Sequence, residues 1–168
     1  LTEDVLIKYS SEYNFELPVD LKLLELIKTP FYLNEYLKFY TDKEQLDYES
    51  FKDKLWIKKI KKGKASREQT FLNFSLKRAD EGHFFVKSGF DINILDELKN
   101  DGILGYEIAG YFITHDIYEE WALEKIIQSE FEHGNDAKVF LTNIGISLPM
   151  RRSFRNWISK KLLLDDKP

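Results

Sequence analysis

One stretch, Gly102 to Asp116, limits what this chain can fold into more than any other. It reads Gly-Ile-Leu-Gly-Tyr-Glu-Ile-Ala-Gly-Tyr-Phe-Ile-Thr-His-Asp and runs on to Trp121. Tyr106 and Ile108 alternate with polar or small neighbours, and so do Tyr111 and Ile113. That period of two predicts two short, half-buried strands. Ala109-Gly110 lies between them and supplies a tight turn. Asp116 then reads as a helix N-cap, with Glu119 three positions on as its capping-box partner. His115 is thereby set where a strand ends and a helix begins. Free main-chain N–H groups and the helix dipole favour an anion at such a place.

The segments on either side read as helices. Thr2 caps a first helix through Val5, Leu6, Tyr9 and Tyr13, with Glu3 and Asp4 in its first turn. Pro18 suits the first position of a second helix, whose apolar face is Leu21, Leu23, Leu24 and Ile27. Lys28-Thr29-Pro30 ends that helix, because the residue before proline is pushed out of the α region. Pro30 also opens a third helix with Phe31, Leu33, Leu37 and Tyr40 on one face. Thr41 to Asp47 is a polar connection. Tyr48, Phe51, Leu55, Trp56 and Ile60 mark a fourth helix, and Gly63 is the expected boundary between two units. Ser66 caps a fifth helix through Phe71, Leu72, Ser75, Leu76 and Ala79, ended by Gly82. His83 to Val86 is a short strand. Asp91 caps a sixth helix through Ile94, Leu95 and Leu98, stopped at Asn100-Asp101-Gly102.

Helix, short strand, helix and hairpin is the order of a winged helix. Beyond the hairpin, a helix carries Ile117, Trp121, Ala122, Leu123, Ile126 and Ile127. Asp136 starts a short helix with Val139, Phe140 and Leu141. The last begins at Ser147-Leu148-Pro149, with Met150, Phe154, Trp157, Ile158 and Leu162 inward and Arg151, Arg152 and Arg155 outward. Leu162-Leu163-Leu164 forms an apolar end. The expected fold is mainly α: a helical bundle over 1–62, a winged helix with a small hairpin wing over 63–133, and a C-terminal helical segment over 134–168.

Composition removes several functions. There are no cysteines, which excludes disulfides and thiolate metal sites. No apolar run approaches the ~18 residues needed to span a membrane, and no signal peptide is visible. The expected setting is the cytoplasm, with no membrane partner. The net charge of -4 gives no general attraction to nucleic acid. Lys58, Lys59, Lys61, Lys62, Lys64 and Arg67 form the main basic run, which reads as a solvated helix end complementing the dipole. The segment that would be a DNA-reading helix carries Asp91, Asp96 and Glu97 against Lys99, whereas a helix facing phosphates should be basic. Gly63-Lys64 lacks the spacing of a phosphate-binding loop. His83, His115 and His133 have no metal-ligand spacing, and no nucleophile elbow is present. The chain carries no catalytic constellation of its own and binds no metal. Its first residues already read as a helix start, so the expectation is a segment of a longer protein.

Three motifs, in order, resemble the signal-transducing P-loop ATPases of the NACHT and NB-ARC group. Leu24 to Leu37, with Thr29-Pro30-Phe31-Tyr32-Leu33, looks like the helical lid after their nucleotide-binding core. Phe112-Ile113-Thr114-His115-Asp116 resembles the Met-His-Asp element of their winged helix, with Thr114 in place of Met. Met150-Arg151-Arg152-Ser153-Phe154-Arg155-Asn156-Trp157 looks like the start of the helical segment that follows. The resemblance implies that Pro30 packs beside the adenine and His115 closes over the β-phosphate of ADP. It implies ADP or ATP with Mg2+ as cofactor of the full-length protein, none held tightly by this part alone. It implies an upstream P-loop core in the same chain as partner and possible self-assembly of the full-length protein, while the acidic would-be recognition helix argues against nucleic acid as a partner. The competing expectations are a DNA-binding winged helix and a nucleotide-independent protein-interaction adaptor.

Overall fold

A computed structural model describes residues 1–40, 46–87, 89–134 and 136–165. Most of the connection expected at Thr41 to Asp47, namely 41–45, lies outside them. Among the described residues the chain is mainly helical, with nine α-helices, a π-helical run and one two-stranded antiparallel sheet. It divides into two compact units, Leu1–Lys59 and Ile60–Pro168.

The first unit holds α1 (Glu3–Tyr13), α2 (Leu21–Ile27), α3 (Pro30–Phe39) and α4 (Tyr48–Leu55). Thr2 stands at the N-cap of α1 but makes no side-chain capping bond. Pro18 does not open α2. Asp20 does, its carboxylate accepting from the Lys22 and Leu23 amides and also from Tyr48 N at the head of α4. One carboxylate thereby satisfies donors that two helix starts leave unpaired. Pro30 occupies the first turn of α3, where its missing N–H costs nothing. The buried face of α3 is Tyr32, Leu33, Glu35 and Tyr36, while Leu37 faces outward. The apolar stripe is therefore rotated from the expected one. The cause is aromatic: Tyr36 packs on Phe15, Tyr40 and Phe51, and its hydroxyl donates to Glu16 O at 3.0 Å. Burial pushes that phenol up to about 12. Leu6, Leu23, Ile27, Phe51 and Leu55 complete this core.

After Leu55 the backbone loosens into a π-helical run, Trp56–Lys61. Lys62 (φ 45) and Gly63 (φ 73) then turn it through left-handed geometry.

The second unit holds α5 (Ala65–Glu81), α6 (Ile92–Asn100), strands β1 (Leu104–Glu107) and β2 (Gly110–Ile113), α7 (Asp116–Glu132), α8 (Ala137–Ile144) and α9 (Leu148–Asp165). Ser66 lies inside α5, whose N-cap position is Lys64 without a side-chain bond. Asp91 caps α6 and Asp136 caps α8 through their carboxylates. The strand expected at His83 to Val86 contracts to one bridge, Val86 to Tyr111, closed by two main-chain bonds of 2.9 and 3.0 Å. Helix, bridge, helix and hairpin follow one another in the expected order.

The hairpin differs in register from the sequence pattern. Leu104 faces Ile113 and Glu107 faces Gly110, so the loop is Ile108-Ala109 and Gly110 already belongs to β2. Tyr106 and Ile108 are exposed, and Ile103 and Leu104 are the buried pair. Gly110 is required there: its φ is 134°, and a Cβ would lie 2.7 Å from the Val86 carbonyl oxygen. Helices α5, α7, α8 and α9 enclose a second core of Ala79, Leu123, Ile127, Phe140, Ile144, Met150 and Trp157. Trp157 Nε1 donates to Gln128 at 2.9 Å, which satisfies its one polar atom. Arg151, Arg152 and Arg155 point outward, while Leu162 and Leu163 are exposed rather than packed inward.

Candidate functional site at the start of helix α7

β2 delivers the chain to α7 through Thr114 and His115. The Thr114 amide donates to Ile103 O at 3.1 Å, and its hydroxyl reaches Gly102 O and Ile103 O at 2.7 and 3.0 Å. The threonine thereby bolts the end of the hairpin to the corner after α6. His115 follows with extended backbone (φ -136°) and is the N-cap residue of α7 by geometry, without a side-chain capping bond. Its main-chain carbonyl accepts from Tyr118 N at 3.0 Å. The imidazole is partly buried and lies edge-on to Tyr118, with centroids 6.0 Å apart. Burial holds its pKa below the ordinary histidine value, against an upward pull from Asp116. The neutral ring at pH 7 keeps one N–H to donate.

Asp116 does not cap the helix. It is the first helical residue, strongly exposed, with Oδ1 3.8 Å from Arg78 Nη2. Glu119 makes no capping box either. Its Oε2 lies 3.0 Å from Nη1 of the half-buried Arg78, because the Coulombic attraction of a partly desolvated cation that close outweighs a main-chain amide. Burial pushes the Glu119 carboxyl up, Arg78 pulls it down, and Asp116 and Glu120 raise it further. Glu120 pairs with Arg152 at 3.1 Å. Together with Leu123, Leu148, Pro149 and Ser153 these groups line an open cleft of about 350 Å³. Two cations and three carboxylates meet there. Among the described residues no set of three His, Asp or Glu side chains is placed to hold a metal ion.

Pro30 sits in the other unit, exposed at the head of α3, with Phe31 edge-on to Tyr32 and Lys59 over the Phe31 ring at 5.8 Å. It and His115 belong to separate units.

The basic run is not a free patch. Lys61 faces Glu68, Lys62 pairs with Asp101, Lys64 with Glu97, and Arg67 with both Glu97 and Asp101. In the first unit, Lys58 and Lys59 converge on the buried Glu35. Arg78 and Arg67 escape a reading based on apolar periodicity, yet both had a signal. Arg67, Phe71, Phe74 and Arg78 follow helical spacing on one stripe of α5, so the two arginines extend its inward face.

No protein-family model matches this chain, and no curated protein is significantly similar to it.

Proposed function

We propose that this chain is the regulatory lid and winged-helix part of a signal-transducing P-loop ATPase. In this reading it closes over ADP or ATP, with Mg2+, held by a core upstream in the same protein. The observation that carries the reading is His115. It stands at the strand-to-helix junction of a winged-helix order, neutral, partly buried, and backed by the N-terminus of a long helix. The first unit supports it with a proline-initiated helix junction at Lys28-Thr29-Pro30. The nucleotide stabilises a resting arrangement only if it binds that arrangement better than the open one. Moving such an equilibrium from 1:99 to 99:1 takes a preference of about 5.5 kcal/mol. Release of that hold then permits assembly. No helix among the described residues is long and apolar enough to cross a membrane, and the cytoplasm is the setting this function requires.

The test is to express the protein from the reading frame that contains Leu1 together with whatever precedes it, and to analyse the nucleotide that co-purifies. A G-x-x-x-x-G-K-[ST] loop after a strand, with bound ADP lost in His115→Ala, supports the switch. A frame without such a loop, or ADP retention unchanged by His115→Ala, refutes it. A DNA-binding winged helix is disfavoured because Glu97 of α6 and Asp101 at its C-cap pair with Lys62, Lys64 and Arg67 of the neighbouring basic run. Fluorescence anisotropy with duplex DNA should accordingly show no salt-sensitive binding at micromolar protein.

A further inference from the structure

The head of α7 carries its own obstacle to an anion. The dipole and free N–H groups of a 17-residue helix attract negative charge, yet Asp116, Glu119 and Glu120 stand in or beside its first turn. Three uncompensated carboxylates would repel a phosphate and stabilise a charged imidazole at His115. Compensation comes from two other helices. Arg78 of α5 reaches Glu119 at 3.0 Å and Asp116 at 3.8 Å, its side chain 12% exposed and its guanidinium 5.2 Å from the Phe84 ring centroid. Arg152 of α9 takes Glu120. β2 brings no charged residue to the junction.

We infer that Arg78 is the positioning residue of the β2–α7 junction: its guanidinium neutralises the first-turn carboxylates and ties that turn to α5, so that His115 meets an incoming anion in a nearly neutral setting. Arg152 completes the compensation from α9. The identity of the anion, a nucleotide phosphate, rests on the function proposed above; the electrostatic role does not. The guanidinium lies over the face of the Phe84 ring, a cation–π contact that favours this placement of the side chain. A lysine supplies the charge without the fork, so it replaces the neutralisation better than the double contact.

The experiment is an NMR titration of the His115 ring in this 168-residue chain, assigned with His115→Gln. Arg78→Met keeps the apolar stem and removes the charge. The His115 midpoint is expected to move up, because Asp116 is no longer offset, and Arg78→Lys is expected to restore most of the shift. Adding Asp116→Asn to Arg78→Met should bring the midpoint back down. If Arg78→Met does not fold, Arg78→Gln carries the same expectation. A midpoint unchanged by loss of the charge overturns the inference, whatever the nucleotide results. A midpoint that moves as expected sustains it, even if ADP retention in the longer protein proves indifferent to His115 and the switch reading falls.

Discussion

Replacing Arg67 with methionine should destabilise the second unit by about 3 kcal/mol. The side chain is 1% exposed, and its bonds include Nε to Ile60 O at 2.7 Å, Nη1 to Glu97 at 3.4 Å and Nη2 to Asp101 at 2.5 Å. Ile60 is the last residue but one of the π-helical run, where carbonyls run short of helical partners. Losing its donor leaves a buried carbonyl unpaired, at roughly 1–3 kcal/mol. Breaking a fully buried ion pair costs about 3–5 kcal/mol, but here the acids keep Lys62 and Lys64 and stay partly open to water. The acid side therefore adds less than that range, and methionine retains most of the apolar packing. Urea unfolding followed by circular dichroism would measure the change from the midpoint and slope. The acid limb gives a second readout. Lys64 above all, with Arg67, holds the Glu97 carboxyl below its usual range. Burial raises Asp101, but Lys62 and Arg67 outweigh it and lower it on balance. Stability from such depressed carboxyls is complete above their unfolded pKa values near ~4 and is lost as pH falls through the lower folded values. Without Arg67 the depression shrinks, so acid unfolding should begin at higher pH. A destabilisation below about 0.5 kcal/mol, the size expected of an ordinary surface change, with an unmoved acid limb, would refute this account.

Gly110→Ala should break the Val86 bridge, since the new methyl meets a backbone carbonyl that no rotamer change can move away. Amide exchange at Val86 and Tyr111 should quicken, with a cost of roughly 1–3 kcal/mol. His115 has a folded pKa below its unfolded value, so the stability it provides is complete above about pH 6.5 and declines as pH falls through the folded value. His115→Gln should flatten that part of the stability–pH curve, as read from urea midpoints between pH 7.5 and 5 (about two and a half units centred on the histidine range).

The sequence by itself determined the mainly helical class, the junction at Thr29-Pro30, the carboxylate caps at Asp91 and Asp136, and the order of helix, short extended segment, helix and hairpin, though the strand expected at His83 to Val86 shrinks to one bridge. Each is a local matter: a fixed proline φ, a short side chain beside its own amides, a period of 3.6. It also placed His115 where a strand ends and a helix begins, because that junction is written in adjacent residues. What tertiary structure decided is where charge goes. Asp116 and Glu119 look like a capping pair when only their own helix is considered, and they turn to Arg78 because α5 brings a half-buried cation within 4 Å. Lys62 and Lys64 stay solvated as the sequence suggests, but only the fold shows that Glu97 of α6 and Asp101 at its C-cap pair with them. The hairpin register was likewise set from outside, by the Val86 carbonyl that leaves room only for a glycine at position 110. Local propensity acts over a few residues. Coulombic pairing and close backbone approach act between segments distant in sequence, and only the folded chain brings those together.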